Sequence, residues 1–299
     1  MDVVVFGAGS LGSLVGGLLA REHAVTLVGR DPHVAAVREA GLRIRGEIDA
    51  HVRPEAATDG TGLVADLAVV TVKSFDTESV ATPLSGSAFR AALSLQNGLG
   101  NEETLAAHLD CPVLAGTATY GAVLTEPGVV ECTGIGEFTL GAREGGRSEL
   151  AEEVATAFRA AGLETTVTGD MPRRLWRKLA VNAGINGVTA LARVKNGAVL
   201  EGDAGDVARA AAAETARVAR AEGIDLSRDE AIGALKDVAE ATAANTSSTL
   251  QDVEAGRRTE VDALNGAVVE RGERHGVETP VNRTIAGLIR AWERGVGCR

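Results

Sequence analysis

A chain of 299 residues that is 45% hydrophobic and 24% charged is too apolar for disorder and long enough for two folded domains. Its net charge of −11 excludes nucleic acid as an overall partner, although a local basic pocket for a small phosphorylated molecule remains allowed. Three cysteines without CxxC spacing and five scattered histidines without a paired-ligand motif give no metal site.

Asp2 to Phe6 reads as a short buried strand. Gly7-Ala8-Gly9-Ser10-Leu11-Gly12 follows at once, and an apolar helix continues from Leu14 to Ala20. A glycine pattern alone carries little weight in a chain with 37 glycines. Here a strand precedes it, a helix follows it and a second strand is expected at Ala24 to Val28, the setting a dinucleotide-binding turn requires. Gly7 permits the tight turn, Gly9 lets a pyrophosphate approach the backbone, Gly12 allows close helix packing, and the helix N-terminus offers N–H groups to phosphates. The strand starts too early for a secretory signal and the helix is too short for a membrane span, so a cytoplasmic protein with no membrane partner is expected.

The second strand ends in Gly29-Arg30-Asp31. NAD enzymes usually place a carboxylate there for the ribose 2′-hydroxyl. Arg30 suits a 2′-phosphate instead, which favours NADP(H), and Gly29 leaves room where an acidic side chain would repel the extra charge. Asp31 is the competing candidate, or else a cap for a helix with Pro32 at its first position.

Strand-like segments near Val52 and at Leu67–Val72, Ala92–Leu95, Pro112–Thr119 and Val129–Thr133 alternate with helical or glycine-rich turns, as in a doubly wound α/β sheet. Residues 136–141 extend it antiparallel. Lys73 and Gln96-Asn97-Gly98 follow strands directly, at the edge where open sheets bind ligands, although Asn97-Gly98 also fits simple turn chemistry. Alanine-rich helical runs dominate from Arg173 onward. The expected domains are 1–169, binding the dinucleotide, and an all-helical 170–299, holding substrate and chemistry.

Lys178, Asn182 and Asn186 recur every fourth residue in an expected helix. Each step drifts only about 40° around the axis, so the three line one stripe about 12 Å long. Leu175, Leu179, Ala183, Val188 and Leu191 give the same segment apolar faces, which puts the amine and two amides at the edge of a buried cleft. Only four of the 30 basic residues are lysines (Lys73, Lys178, Lys195 and Lys236), and two of them fall where a ligand is expected. Further on, Ser248 with Gln251 reads either as a capping box or as a carboxylate site at a helix start, and Thr259 as a cap for a helix beginning at Glu260. Ala204–Glu222 forms one helix, and a last helix starts at Thr279-Pro280 with Ile285, Leu288, Ile289 and Trp292 at core spacing.

Taken together, Gly7-x-Gly-x-x-Gly12, Val72-Lys73, Gln96-Asn97-Gly98, Trp176-x-Lys178-x3-Asn182-x3-Asn186, Ser247-Ser248 and Thr259-Glu260-Val-Asp262 resemble the ketopantoate reductases (2-dehydropantoate 2-reductases) along essentially the whole chain. The resemblance implies an N-terminal Rossmann-type domain and NADPH-dependent reduction of ketopantoate to pantoate, a step toward pantothenate and coenzyme A. It implies that Lys178 is the catalytic acid, that Glu260 contacts the reacting oxygen or substrate hydroxyl, and that Asn182 and Asn186 position substrate. Ser248 then holds the substrate carboxylate. Lys73 and Asn97 lie between nicotinamide and substrate, so that Asn97 serves both ligands and Glu260 also borders the cofactor. Thr249 departs from the family, which often has Met there, and bears on pocket shape. Hydride passing to a 2-oxo carbonyl needs a protonated amine near the oxygen, which Lys178 can supply in a cleft between the domains. The rival readings are a reductase of another oxo acid and a non-catalytic NADP sensor. A homodimer is compatible with all three.

Overall fold

In the computed structural model, which describes residues 1–299, strand β1 (Asp2–Phe6) buries every residue after Asp2 because both faces of its sheet are covered. Val3 and Val5 face one core, and Val4 and Phe6 face another. The strands that follow are β2 (Ala24–Val28), β3 (Leu42–Gly46), β4 (Ala50–Val52), β5 (Glu55–Ala57), β6 (Val64–Val70), β7 (Ala88–Ser94), β8 (Val113–Ala118), β9 (Gly121–Glu126), β10 (Val129–Gly134), β11 (Phe138–Ala142) and β12 (Thr165–Val167). Eight of these form one sheet in the order β12-β11-β8-β7-β6-β1-β2-β5. Every neighbouring pair is parallel except β8 and β11, the expected antiparallel extension. Because β1 lies between β2 and β6, the chain winds to both sides of it, and the sheet's carboxyl edge opens at this switch point.

The first helices are α1 (Ser10–Leu19), α2 (His33–Ala40), α3 (Thr77–Ser85), α4 (Asn101–His108) and α5 (Glu149–Ala160). Helix α1 is buried from Gly12 to Leu19 for a reason the doubly wound pattern alone does not give: it is sandwiched. A Cβ on Gly16 would lie 2.4 Å from Leu27 of the main sheet, and one on Gly17 would lie 2.8 Å from Leu42 of a second, four-stranded sheet. That second sheet, ordered β4-β3-β10-β9, corrects the expectation that the strands near Val52 and Val129 join the main one. Strand β10 alternates buried Val130 and Cys132 with exposed Glu131 and Thr133, the signature of a sheet covered on one face only.

Packing divides the chain into Met1–Gln96 with Gly100–Met171, and Asn97–Leu99 with Pro172–Arg299. The second unit is built from α6 (Met171–Ala192), α7 (Gly202–Ala221), α8 (Arg228–Ala241), α9 (Ser248–Glu254), α10 (Ala267–Arg274) and α11 (Pro280–Gly295). Small residues let α6 run through the middle. A Cβ on Gly184 would meet Leu235 at 2.2 Å, and one on Gly187 would meet Ile285 at 2.3 Å. Two expected core residues lie outside it: Leu191, at the end of α6, is 41% exposed and Leu288 is 53% exposed, while Ile285 and Ile289 carry the buried face of α11. No helix is long and apolar enough to cross a membrane.

Candidate functional site

The glycine turn is shaped by what the backbone must pass. Gly7 has φ of 103°, and a Cβ there would lie 2.6 Å from the Val72 amide. At Gly12 a Cβ would lie 2.1 Å from the Gly7 carbonyl and 2.4 Å from Thr71 Oγ1, so α1 starts against the turn itself. Thr71, which sequence reasoning missed, donates its hydroxyl to the carbonyls of Phe6 and Gly7 at 3.1 and 2.9 Å and ties the turn to the end of β6. Gly9 differs from its neighbours. It is exposed, and a Cβ there would meet nothing closer than 3.9 Å, so protein packing does not explain its lack of a side chain; close approach by a ligand does. Ala8 is buried, Leu11 is half-buried, and Ser10 begins α1 with its Oγ accepting the Leu124 amide of β9 at 3.0 Å. A dinucleotide therefore fits the turn through backbone and helix N-terminus.

The end of β2 is more constrained than the sequence indicates. A Cβ at Gly29 would lie 2.8 Å from Ala8 Cβ, so packing against the turn leaves no space there for an acidic side chain. Asp31 accepts the Ala35 amide at 3.1 Å from one residue before the cap, which is Pro32; α2 begins at His33 without a side-chain cap bond, which corrects the expectation of Asp31 as cap with Pro32 at the first helical position. Arg30 extends into solvent and pairs with Asp76 at 3.6 Å. Lys73 is half-buried and precedes a 3₁₀ turn at Ser74–Asp76. Behind it, Gln96 donates to the Val72 carbonyl at 3.1 Å and to Thr77 Oγ1 at 2.7 Å.

In the helical unit, Lys178, Asn182 and Asn186 share the four-residue stripe of α6, the first two half-buried and Asn186 buried. Asn186 Nδ2 donates to Ser248 Oγ at 3.5 Å, which joins two sequence candidates 62 residues apart. Ser248 is exposed as the first residue of α9. The cap is Ser247, whose buried Oγ accepts the Leu250 amide at 3.2 Å and hydrogen-bonds Thr189 Oγ1 at 2.7 Å; this corrects the Ser248–Gln251 capping box. Glu260 is buried and accepts Asn97 Nδ2 at 3.2 Å. Gly98, next to Asn97, has φ of 86°, and a Cβ on it would lie 2.4 Å from the Ala263 carbonyl. That close approach is what seats 97–99 in this unit.

Thr259 Oγ1 accepts the Val261 amide at 3.2 Å, as a cap would, but the helical turn starts at Asp262 and not at the expected Glu260. The Thr259 N–H and hydroxyl also both donate to Glu293 Oε1, at 2.8 and 2.7 Å, and the turn Asp262–Gly266 is a π-helix closed by the Gly266 amide on the Val261 carbonyl at 2.8 Å. Glu293 is fully buried and its Oε2 accepts Arg299 at 2.6 Å, while Asp262 accepts Arg290 at 2.8 Å and Arg299 at 2.6 Å. Arg290 and Arg299 hold the Asp262 carboxyl below its ordinary range in spite of its burial. Another buried carboxylate, Glu214, accepts the amides of Val281 and Asn282, both at 3.0 Å, at the start of α11. Neither Glu214 nor Glu293 was found by sequence reasoning, because an isolated glutamate in a helical run gives no local signal.

A parallel sheet with a glycine turn at its switch point, carried in one chain with a helical unit bearing the Lys178 stripe, defines a dinucleotide-dependent oxidoreductase. Two family models cover most of the chain: "Ketopantoate reductase PanE/ApbA" matches residues 3–145, and "Ketopantoate reductase PanE/ApbA C terminal" matches residues 170–293. The 2-dehydropantoate 2-reductase of Halobacterium salinarum is 49% identical, over 98% of this chain and 99% of its own length. Among solved structures, a PanE/ApbA family ketopantoate reductase from Ralstonia eutropha superposes with a TM-score of 0.91 at 34% identity, over 99% of this chain and all of that one. A D-mandelate dehydrogenase in complex with NADH gives 0.90 at 25% identity, also over 99% and 100% of the two chains. The chain belongs to the ketopantoate reductase family.

Proposed function

We propose that this protein reduces ketopantoate (2-dehydropantoate) to pantoate with NADPH, the reaction that leads toward pantothenate and coenzyme A. The observation that carries the reading is the arrangement of the helical unit: an amine and two amides in line on α6, with Asn186 reaching Ser248 and Asn97 reaching Glu260. Residues 1–169 serve as the dinucleotide-binding domain and 170–299 as the substrate domain, with Asn97 acting alongside the latter. Gly7, Ala8, Gly9, Ser10, Leu11 and Gly12 would hold the pyrophosphate, Arg30 the 2′-phosphate, and Lys73, Asn97 and Glu260 would border the nicotinamide. When bound, the reduced nicotinamide supplies the hydride.

Lys178 supplies the acid. As charge grows on the C2 oxygen of a 2-oxo acid, its ammonium stabilises that charge and delivers the proton that completes the alcohol. Glu260, with one oxygen held by the Asn97 amide, accepts the substrate hydroxyl and orients it. Ser248 binds the carboxylate from a helix start whose amides add to the attraction, and Asn182 and Asn186 fix the carbon skeleton. A cytoplasmic location accompanies this reading.

The test is NADPH oxidation by the purified protein with ketopantoate, run beside 2-oxoisovalerate and phenylglyoxylate. Ketopantoate is expected to give the highest kcat/KM; a higher value for phenylglyoxylate would move the protein to the mandelate-type chemistry of its structural neighbour. On the cofactor side, a second reading, use of NADH, is favoured by the carboxylate of Asp76 beside Arg30.

A further inference from the structure

We propose that Asp76 is a specificity-determining residue, which narrows the preference for NADPH over NADH by competing with the cofactor for Arg30. The inference rests on the reading of Arg30 as the 2′-phosphate ligand and adds to it the group that opposes it.

Strands β2 and β6 flank β1, so the segments that leave them, bearing Arg30 and Asp76, stand on either side of the glycine turn. The Arg30 side chain is 91% exposed and its ion partner is Asp76, 3.6 Å away and 34% exposed. The two residues are held very differently. Arg30 projects into solvent on a long side chain, whereas Asp76 sits on a segment fixed from below: its amide bonds the Lys73 carbonyl at 2.8 Å, and the next residue, Thr77, donates to the Ser74 carbonyl at 2.9 Å and to Asn101 at 2.9 Å while accepting Gln96 at 2.7 Å. The carboxylate is also uncommitted to the helix it precedes, since α3 begins without a side-chain cap bond.

At the end of β2 itself, position 29 has no room for any side chain, and one oxygen of Asp31 is taken by the Ala35 amide. Asp76 is the carboxylate that the structure pairs with Arg30. Toward NADPH it acts unfavourably, because Arg30 must be shared between a carboxylate and a phosphate dianion. Toward NADH it can accept the ribose 2′-hydroxyl, the role an acidic residue after the second strand plays in NAD enzymes. One group thus lowers affinity for one cofactor and supports the other.

The experiment is a four-way titration of nicotinamide fluorescence, measuring Kd for NADPH and for NADH in wild type, Asp76→Asn, Arg30→Ala and the double variant. Asp76→Asn is expected to tighten NADPH by about 2- to 5-fold, the range of an exposed ion pair. It should leave NADH unchanged or weaker, and the gain should vanish when Arg30 is already absent. Tighter NADPH binding in both backgrounds would overturn competition for Arg30, since it would mean direct repulsion. No NADPH-selective change in Asp76→Asn, with a selective loss in Arg30→Ala, would overturn the role of Asp76 while leaving Arg30 as selector. Equal loss of both cofactors in Arg30→Ala would remove the reading beneath the inference and the inference with it.

Discussion

The glycine turn and the Lys178 stripe are built in opposite ways. In the turn, function is a matter of where atoms are missing: Gly7 and Gly12 have no room for a Cβ, and Gly9 has room that protein does not use. In the helical unit, the proposed function depends on side chains that must be present and held, through Glu260 on Asn97, Ser248 on Asn186 and Thr259 on Glu293. A backbone site is written in a few consecutive residues. A side-chain site needs partners brought from far along the chain.

The sharpest way to break this comparison is to remove one side chain from the stripe. General acid catalysis contributes on the order of 10²- to 10⁴-fold, so Lys178→Ala should lower kcat by that factor with NADPH affinity and Tm nearly unchanged. Lys178→Arg should fail as well, because a guanidinium does not give up its proton at neutral pH. Lys195→Ala, which changes an exposed lysine, should behave as wild type in the same steady-state assay. Near-normal turnover in Lys178→Ala would mean that no single group on α6 carries the chemistry.

Next in size is a pair of stability changes, one for each style of construction. Glu293→Ala would leave the buried Thr259 amide and hydroxyl without their acceptor, at about 1–3 kcal/mol for each buried group, and would take one of two carboxylate partners from the partly exposed Arg299. Gly12→Ala would force a Cβ onto the Gly7 carbonyl, an overpacking cost of about 1–3 kcal/mol, together with weakened dinucleotide binding. Urea unfolding measures both. If Glu293→Ala were the milder of the two, the buried carboxylate would not be what holds the Glu260 segment.

This contrast explains what could be read in the sequence. Strands β1 and β2 were legible to the residue, because alternation and apolar runs are local signals; α1 was legible as a helix but starts at Ser10, four residues before the expected Leu14, inside the glycine motif. The doubly wound order followed from them. The second sheet was not read: β3, Leu-Arg-Ile-Arg-Gly, carries the apolar–polar alternation of a strand covered on one face, but nothing in those five residues says which sheet they join. Lys178, Asn182 and Asn186 could be picked out because a helix repeats them in register. Glu293 could not, since its partner Thr259 lies 34 residues earlier and nothing in either neighbourhood announces the pair. Ser248 was singled out with the wrong local role, because sequence places two serines at a helix start without saying which one turns inward.

Those two serines offer a finer test. Ser247 is buried and bonded to both the Leu250 amide and Thr189, so Ser247→Ala should cost about 0.5–2 kcal/mol of stability as a lost cap. Ser248 is exposed, with one long bond from Asn186, so Ser248→Ala should leave unfolding unchanged. Its KM for the oxo acid should rise by the equivalent of about 1–3 kcal/mol, the worth of a hydrogen bond to a charged group. A reversed pattern, with Ser248→Ala unstable and kinetically normal, would move the carboxylate site elsewhere.

The smallest expected effect concerns His33, which applies the side-chain style of construction inside the first unit. The Gly128 amide donates to its Nδ1 at 3.0 Å, so Nδ1 is unprotonated and Nε2 carries the hydrogen that bonds Ser13 Oγ at 3.0 Å. Burial lowers its pKa below the ordinary 6.5, and protonating Nδ1 would also set one N–H against another. The unfolded chain therefore takes up this proton at a higher pH than the folded one does. Stability from His33 is fully present above about pH 6.5 and is lost as pH falls through the lower folded value. His33→Gln can keep both bonds, an amide oxygen for Gly128 and an amide N–H for Ser13, without titrating. Urea midpoints measured from pH 8 to pH 5 should fall more steeply in wild type than in His33→Gln, with the difference opening only on the acid side. Parallel profiles would mean that the ring leaves its pocket and charges freely, and that the contact between α2 and the loop before β10 is held by packing alone.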